Sequence, residues 1–258
     1  MKQICIIPTV IATIIFMLLF QSCNALPSKV ADKALELMAK YDSTDFVTRT
    51  VDLADFTAIK CGGYAIIEYQ QGENYNIEIS STAEYLDSYT FEVKKKELRI
   101  ESNKNKFKRP LIIRLTAPRL DELDIKGACI FKAGSVNLDK DYKVRVSGAA
   151  TIDIENLYCE DVEIDISGAS KLKGTIHAKK DVEIENSGAS NIDADIYCEK
   201  LEIDCSGASM CDLTVFCNDL DIDCSGTGKI YVEGKTQKQR ISSSGPAKID
   251  LSNLTTTK

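Results

Sequence analysis

The sequence predicts an all-β fold, a single-stranded right-handed parallel β-helix (β-solenoid) with a β-rich N-terminal capping region. Three observations carry that expectation. A Ser-Gly-small motif recurs at a nearly constant interval, apolar and charged residues alternate with period two around it, and no Asn-Gly type hairpin turn separates the alternating segments. The last point disfavours the alternative all-β reading, an antiparallel sandwich.

The repeat reads SGAATIDI from Ser147, SGASKLKG from Ser167, SGASNIDA from Ser187, SGASMCDL from Ser206, SGTGKIYV from Ser225 and SSGPAKIDL around Ser244, a period of 19 to 20 residues. A weaker copy, KGACIFKAG from Lys126, lies one period earlier, so about seven units run to the end of the chain. Before each Ser-Gly, Val162, Ile164 and Ile166 alternate with Glu163 and Asp165, and the later units repeat this with Val182 and Ile184, Leu201 and Ile203, and Leu220 and Ile222. Alternation of this kind places one set of side chains inside and the other in solvent. A second short strand follows each motif, and the glycine suits a corner of positive φ or close backbone approach. One unit cannot bury its own apolar face, so neighbours must stack in coils about 4.8 Å apart. The general chirality of parallel β connections predicts a right-handed coil.

The elements follow in chain order. Residues 1–22 read as a lipoprotein signal peptide: one charge, Lys2, precedes an apolar run from Ile4 to Phe20 that ends in Ser22 and Cys23. Phe20-Gln21-Ser22-Cys23 resembles a lipobox, departing from its usual form at two positions, and makes Cys23 the predicted lipidation site. An uncleaved membrane helix is the alternative. Cleavage before Cys23 leaves 236 residues, enough for a sizeable core. Residues 23–44 form the expected lipidated tether, in which SKVADKALELMAKYD could be a short helix. Residues 45–125 are expected to be β-rich, either as irregular first coils or as a cap over the open end. Residues 126–258 hold the repeats.

A net charge of −7 and a sequence pI near 5.0 argue against nucleic acid as a partner. Charge is uneven: residues 151–225 hold 18 acidic against 5 basic side chains, and residues 91–119 hold 10 basic against 3 acidic, including Lys94, Lys95, Lys96, Lys104, Lys106, Lys108 and Arg109. Eight cysteines lie beyond Cys5 and Cys23. Stacking puts Cys159, Ala178, Cys198 and Cys217 in one column and Cys205 and Cys224 in another. Directly stacked residues sit too far apart for a disulfide, so most of these cysteines are expected to be free, buried thiols. Cys-x-x-Cys loops of the structural zinc type are missing.

Chemistry is sparse. His177 is the only histidine, and its place among Tyr158, Tyr197 and Phe216 reads as a ring stacked between rings rather than a catalytic base. No P-loop, dinucleotide fingerprint or HExxH occurs. Carboxylates recur regularly: Glu163, Glu183, Glu202 and Asp221 in one outward column, Asp165, Glu185, Asp204 and Asp223 in another. Like charges at stacking distance repel. Calcium is therefore the candidate metal, with Glu163, Asp165, Glu183, Glu185, Glu202 and Asp204 as candidate ligands; no other cofactor is expected. Tyr158, Tyr197 and Phe216 are the candidate ligand-binding residues.

The segment DFTAIKCGGYAIIEYQQGENYNIEIS, the strand pair around KKKELRIES, the stretch APRLDELDIKGA and the SGAS units together resemble the putative auto-transporter adhesin, head GIN domain family of Bacteroidetes lipoproteins, over roughly residues 45 to 250. The resemblance implies a right-handed parallel β-helix and an exported location, and says little about activity. The function expected is that of a non-enzymatic, adhesin-like module of the cell envelope, anchored by lipid and binding a glycan or an envelope protein. A polysaccharide-active enzyme on the same scaffold and a purely structural envelope protein are the alternatives. The outer membrane is the expected site, with either face open, because NALPSKV lacks the acidic residues that often follow the lipidated cysteine in surface-exposed lipoproteins of this group.

Overall fold

The computed structural model describes residues 44–103 and 109–257. Cys23, the tether helix expected within residues 28–42, and Lys104, Lys106 and Lys108 of the basic stretch lie outside them. The described chain opens with β1 (Val47–Thr50), β2 (Ala58–Gln71), β3 (Asn76–Ser81), a one-turn helix α1 (Ala83–Leu86), β4 (Tyr89–Lys94), β5 (Glu97–Ser102) and β6 (Leu111–Ala117). Next come the long β7 (Glu122–Asn137), β8 (Tyr142–Gly148), β9 (Thr151–Cys159), β10 (Val162–Ile166) and β11 (Lys171–Ala178). The remaining strands are β12 (Asp181–Asn186), β13 (Asn191–Tyr197), β14 (Lys200–Cys205), β15 (Met210–Phe216), β16 (Asp219–Ser225), β17 (Lys229–Thr236), β18 (Lys238–Ser244) and β19 (Lys248–Thr256).

From β7 onward every ladder is parallel, and the strands wind as a β-solenoid of about seven turns. Each coil supplies one strand before the Ser-Gly corner and one after it. The first set stacks as β8, β10, β12, β14, β16 and β18, the second as β9, β11, β13, β15, β17 and β19. In-register stacking turns the period-two pattern into columns: Ile59, Leu123, Val144, Ile164, Ile184, Ile203 and Ile222 follow one another through the core, each almost fully buried. Each buried aliphatic side chain contributes roughly 1.5–3 kcal/mol. In the last coil Ile241 continues this column, but Gln239 and Ser243 occupy the places of Leu220 and Cys224, so the columns on either side of it end in polar groups on β18, which is exposed along its length.

The corner fixes how coils meet. Gly127, Gly148, Gly168, Gly188, Gly207 and Gly226 all have φ between +80° and +107°. At each, the backbone of the next coil approaches so closely that a Cβ on Gly188 would lie 2.7 Å from the Gly168 carbonyl oxygen. Those same carbonyls are acceptors: Ala169 N–H donates to Gly148, Ala189 to Gly168 and Ala208 to Gly188, each at 2.8 Å. The sheet ladder thereby continues around the bend without orphaned amides.

The region before the repeats is both coil and cover. Strands β2 and β7 each span two faces, bending at Gly63 and Gly127. Although β2 precedes β5 and β6 in sequence, it lies between them and β7, pairing with all three in parallel. Beyond this outermost coil the pairing turns antiparallel: β4 runs along β5 through the hairpin at Lys95 and Lys96, β3 runs along β6, and β1 along β3. Antiparallel strands at this end change the edge that the parallel coils would otherwise present to a further copy.

Replacing Gly188 by Ala should cost about 2–4 kcal/mol, from a left-handed conformation and the collision with a hydrogen-bonded carbonyl. Ser187→Ala, which removes the neighbouring half-buried hydroxyl and its long 3.4 Å bond to the Ile166 carbonyl, should cost about 1 kcal/mol or less; urea denaturation midpoints of the two variants measure the difference.

Candidate binding faces

Strands β9, β11, β13 and β15 each carry an outward aromatic residue at the last or next-to-last position, because the inward positions before it are taken by Leu157, Ile176, Ile196 and Val215. Register sets Tyr158, His177, Tyr197 and Phe216 in one column. Their rings stack with centroids 4.6, 4.7 and 5.0 Å apart and planes within 3°, 14° and 5° of parallel. Tyr158, Tyr197 and Phe216 are 41%, 38% and 37% exposed, so the column faces solvent rather than core. Near-parallel stacking means that His177 and Tyr197 spend both faces on their neighbours. The strip therefore offers ring edges and two phenol hydroxyls along its length, and at its two ends Tyr158 and Phe216 are followed in register by Asn137 and Lys235. Beside it runs an open depression of about 470 Å³ lined by Leu138, Lys179, Glu199 and the rings. His177 is held as one rung of this stack.

Two outward columns on the strands before the corner are acidic, in the order read from the sequence: Glu163, Glu183, Glu202, Asp221, and beside them Asp165, Glu185, Asp204, Asp223. The register also shows what ends them. Lys143 and Arg145 occupy the same two columns one coil earlier, where Lys143 pairs with Glu163 and Arg145 lies 3.8 Å from Asp165; one coil later, Arg240 reaches Asp221 at 2.9 Å. These terminating cations fall outside the acidic stretch itself, and the repeat period is the signal that finds them. Together with Ser167, Ser187 and Ser206, the second acidic column lines an open groove of about 850 Å³.

Crowding shifts the carboxyls. Glu185 is raised above its ordinary 4.5, chiefly by a hydrogen bond with Asp165 and then by the neighbouring charges. Asp204 is raised above 3.8 by partial desolvation, with Glu202, Asp223 and Asp221 adding to it. The carboxylates are strung along the groove: among the described residues no three His, Cys, Asp or Glu side chains gather as a metal site.

The cysteine columns match the stacking in part. Ile166, Asn186, Cys205 and Cys224 follow one another in the core, and Cys159 pairs in register with Ala178. Cys198 is half-buried and shares a hydrogen bond with Cys217. The contact that stacking does not foresee lies within one coil, where the sulfurs of Cys205 and Cys211 meet across the corner at 3.5 Å.

Because the folded chain holds protons on Glu185 and Asp204 more tightly than the unfolded chain, stability should fall as pH rises through and above about 4 to 5 and recover on acidification from neutrality. Melting temperatures across pH 4–7 at low salt check this. Glu185→Gln should flatten the profile, and added salt should raise the neutral-pH melting temperature by screening the ladder.

Comparison with known proteins places this geometry. No curated protein matches the chain significantly. A solved structure from Bacteroides fragilis NCTC 9343, described as a putative adhesin, superposes with a TM-score of 0.72 at 21% identity, covering 81% of this chain and 97% of that one. Putative adhesins from Parabacteroides distasonis ATCC 8503 and Parabacteroides merdae ATCC 43184 each give a TM-score of 0.53, at 20% and 17% identity, covering 79% and 80% of this chain and 96% of each of theirs. At these identities the likeness is one of fold. The sequence profile of one family matches residues 55–197 and 175–258, spanning the cover, the inserted coil and the repeats, and the chain belongs to that family, described as putative auto-transporter adhesin, head GIN domain.

Proposed function

We propose that the protein is a non-enzymatic adhesion module of the cell envelope, lipid-anchored through Cys23, that binds a glycan along the aromatic strip. The observation that carries this reading is the solvent-facing ladder of Tyr158, His177, Tyr197 and Phe216 beside an open depression. A soluble protein that only needed to close its core would gain little from presenting four rings to water on one line. A sugar can lie along the exposed ring edges in the depression beside them, while the hydroxyls of Tyr158 and Tyr197 supply hydrogen bonds. Membership in an adhesin-type family supports a binding role at the envelope. Regularity argues against catalysis. The aromatic column and the two acidic columns repeat one residue type from coil to coil, whereas an active site needs a few unlike groups converging on one reacting atom.

A glycan-array screen of the fragment beginning after Cys23, with and without calcium, tests the reading. Binding is expected to disappear in the Tyr158→Ala, Tyr197→Ala double variant. Tyr197→Phe should keep the stack and its stability while weakening binding, whereas Tyr197→Ala alone should lose about 1–3 kcal/mol of stability with its two ring contacts. A blank array sinks the glycan reading and leaves a protein partner. Calcium-dependent binding would bring the carboxylates of Glu163, Asp165, Glu183, Glu185, Glu202 and Asp204 into the site. For the anchor, Cys23→Ser should move the full chain from the detergent phase to the aqueous phase on partition; an unchanged distribution removes the lipid.

A further inference from the structure

We propose that Cys205 and Cys211 are a modification site, forming an intrachain disulfide that ties the two strands of one coil across the corner at Gly207. The two thiols come from β14 and β15, which leave the corner in different directions but point into the same core. Both are buried, and their sulfurs lie 3.5 Å apart. Closing that gap to the roughly 2.0 Å of a disulfide takes small rotations of two side chains. The stacked neighbour of Cys205 is Cys224, one coil away in register. There the strand spacing of about 4.8 Å exceeds the Cβ separation of about 3.8 Å that a disulfide accepts, so the bridge within the coil is favoured over the bridge between coils.

The surroundings distinguish the two sulfurs. Asn186, buried in the coil before, donates its Nδ2 hydrogen to the Cys211 sulfur at 3.4 Å, and its Oδ1 accepts from Ser190. The contact with Cys205 and the bond received from Asn186 hold the Cys211 thiol below its ordinary value, while the same contact, together with burial, raises Cys205. Cys211 is thus the better nucleophile. Its thiolate attacks an external disulfide, forming a mixed disulfide and releasing one thiolate. Cys205 then loses its proton and attacks the Cys211 sulfur, expelling the second. Two protein thiols and one small-molecule or protein disulfide become one protein disulfide and two reduced thiols, so atoms and electrons balance. An exported chain meets such oxidants, and Ser206, Gly207 and Ala208 above the pair are exposed, so opening of this corner alone gives access.

The sequence offers a clean readout, because cleavage before Asp204 and Asp212 releases residues 204–211 with Cys205 and Cys211 as their only cysteines. The full chain is treated with oxidised glutathione, both as folded protein and during refolding from the reduced, denatured state, then alkylated under denaturing conditions and digested. The expected result in at least one treatment is a 204–211 peptide that is two hydrogens lighter, unlabelled before reduction and doubly labelled after it. It should persist in Cys224→Ala. The oxidised protein should melt higher than the reduced one by roughly several degrees. Double labelling without reduction in both treatments overturns the proposal, as does a cross-link from this peptide to any other cysteine.

Discussion

Everything in this fold depends on the close approach of backbones at the glycine corner. A column of glycines with positive φ lets each coil turn on top of the one before, with carbonyl and amide of successive corners in hydrogen-bond contact. A side chain there would push coils apart at the point where the two strand ladders join. The corner therefore sets the stacking distance, and the stacking distance sets the rest. It holds Ile164 over Val144 and under Ile184, and it brings ring to ring and carboxyl to carboxyl on the outside.

From that constraint the outer faces acquire their chemistry. Repetition of an outward residue type becomes a ladder, and what a ladder does depends on the residue. Aromatic rings gain from stacking at this spacing, so their column is self-supporting and still exposed. Carboxylates lose, which shows in the raised Glu185 and Asp204 and in the basic residues that flank both columns at the earlier coil and the first column at the later one. A scaffold that tolerates both carries two chemically distinct strips around one core. That is suited to adhesion, where extended contact matters more than convergence on one atom.

The two ends are solved differently. At the beginning, β2 slips between β7 and the later β5 and β6, and antiparallel strands cover the outermost coil. At the other end the core fades, with Gln239 and Ser243 replacing apolar residues in their columns while Ile249, Leu251 and Leu254 still pack inward. Between the ends, each coil is stabilised chiefly by its neighbours, so local opening at one corner need not unravel the whole.

By itself the sequence determined the coil, the column memberships and the outward acidic columns, because in-register parallel stacking maps a fixed period directly onto neighbours in space. Ile166 over Cys205 and Cys224, Tyr158 beside His177, and the two acidic columns all follow from counting. Counting fails where contacts do not run along the stack. The threading of β2 between β7 and the later β5 and β6 depends on long-range pairing among non-repeating strands, which no period marks. The meeting of Cys205 and Cys211 depends on how sharply the corner folds one strand against the next, which a linear period does not encode. Only the tertiary structure decided, too, that the aromatic column faces solvent, since rings stacked at this period serve equally as a cover over the core, and which they are is set by the path of the coil around them.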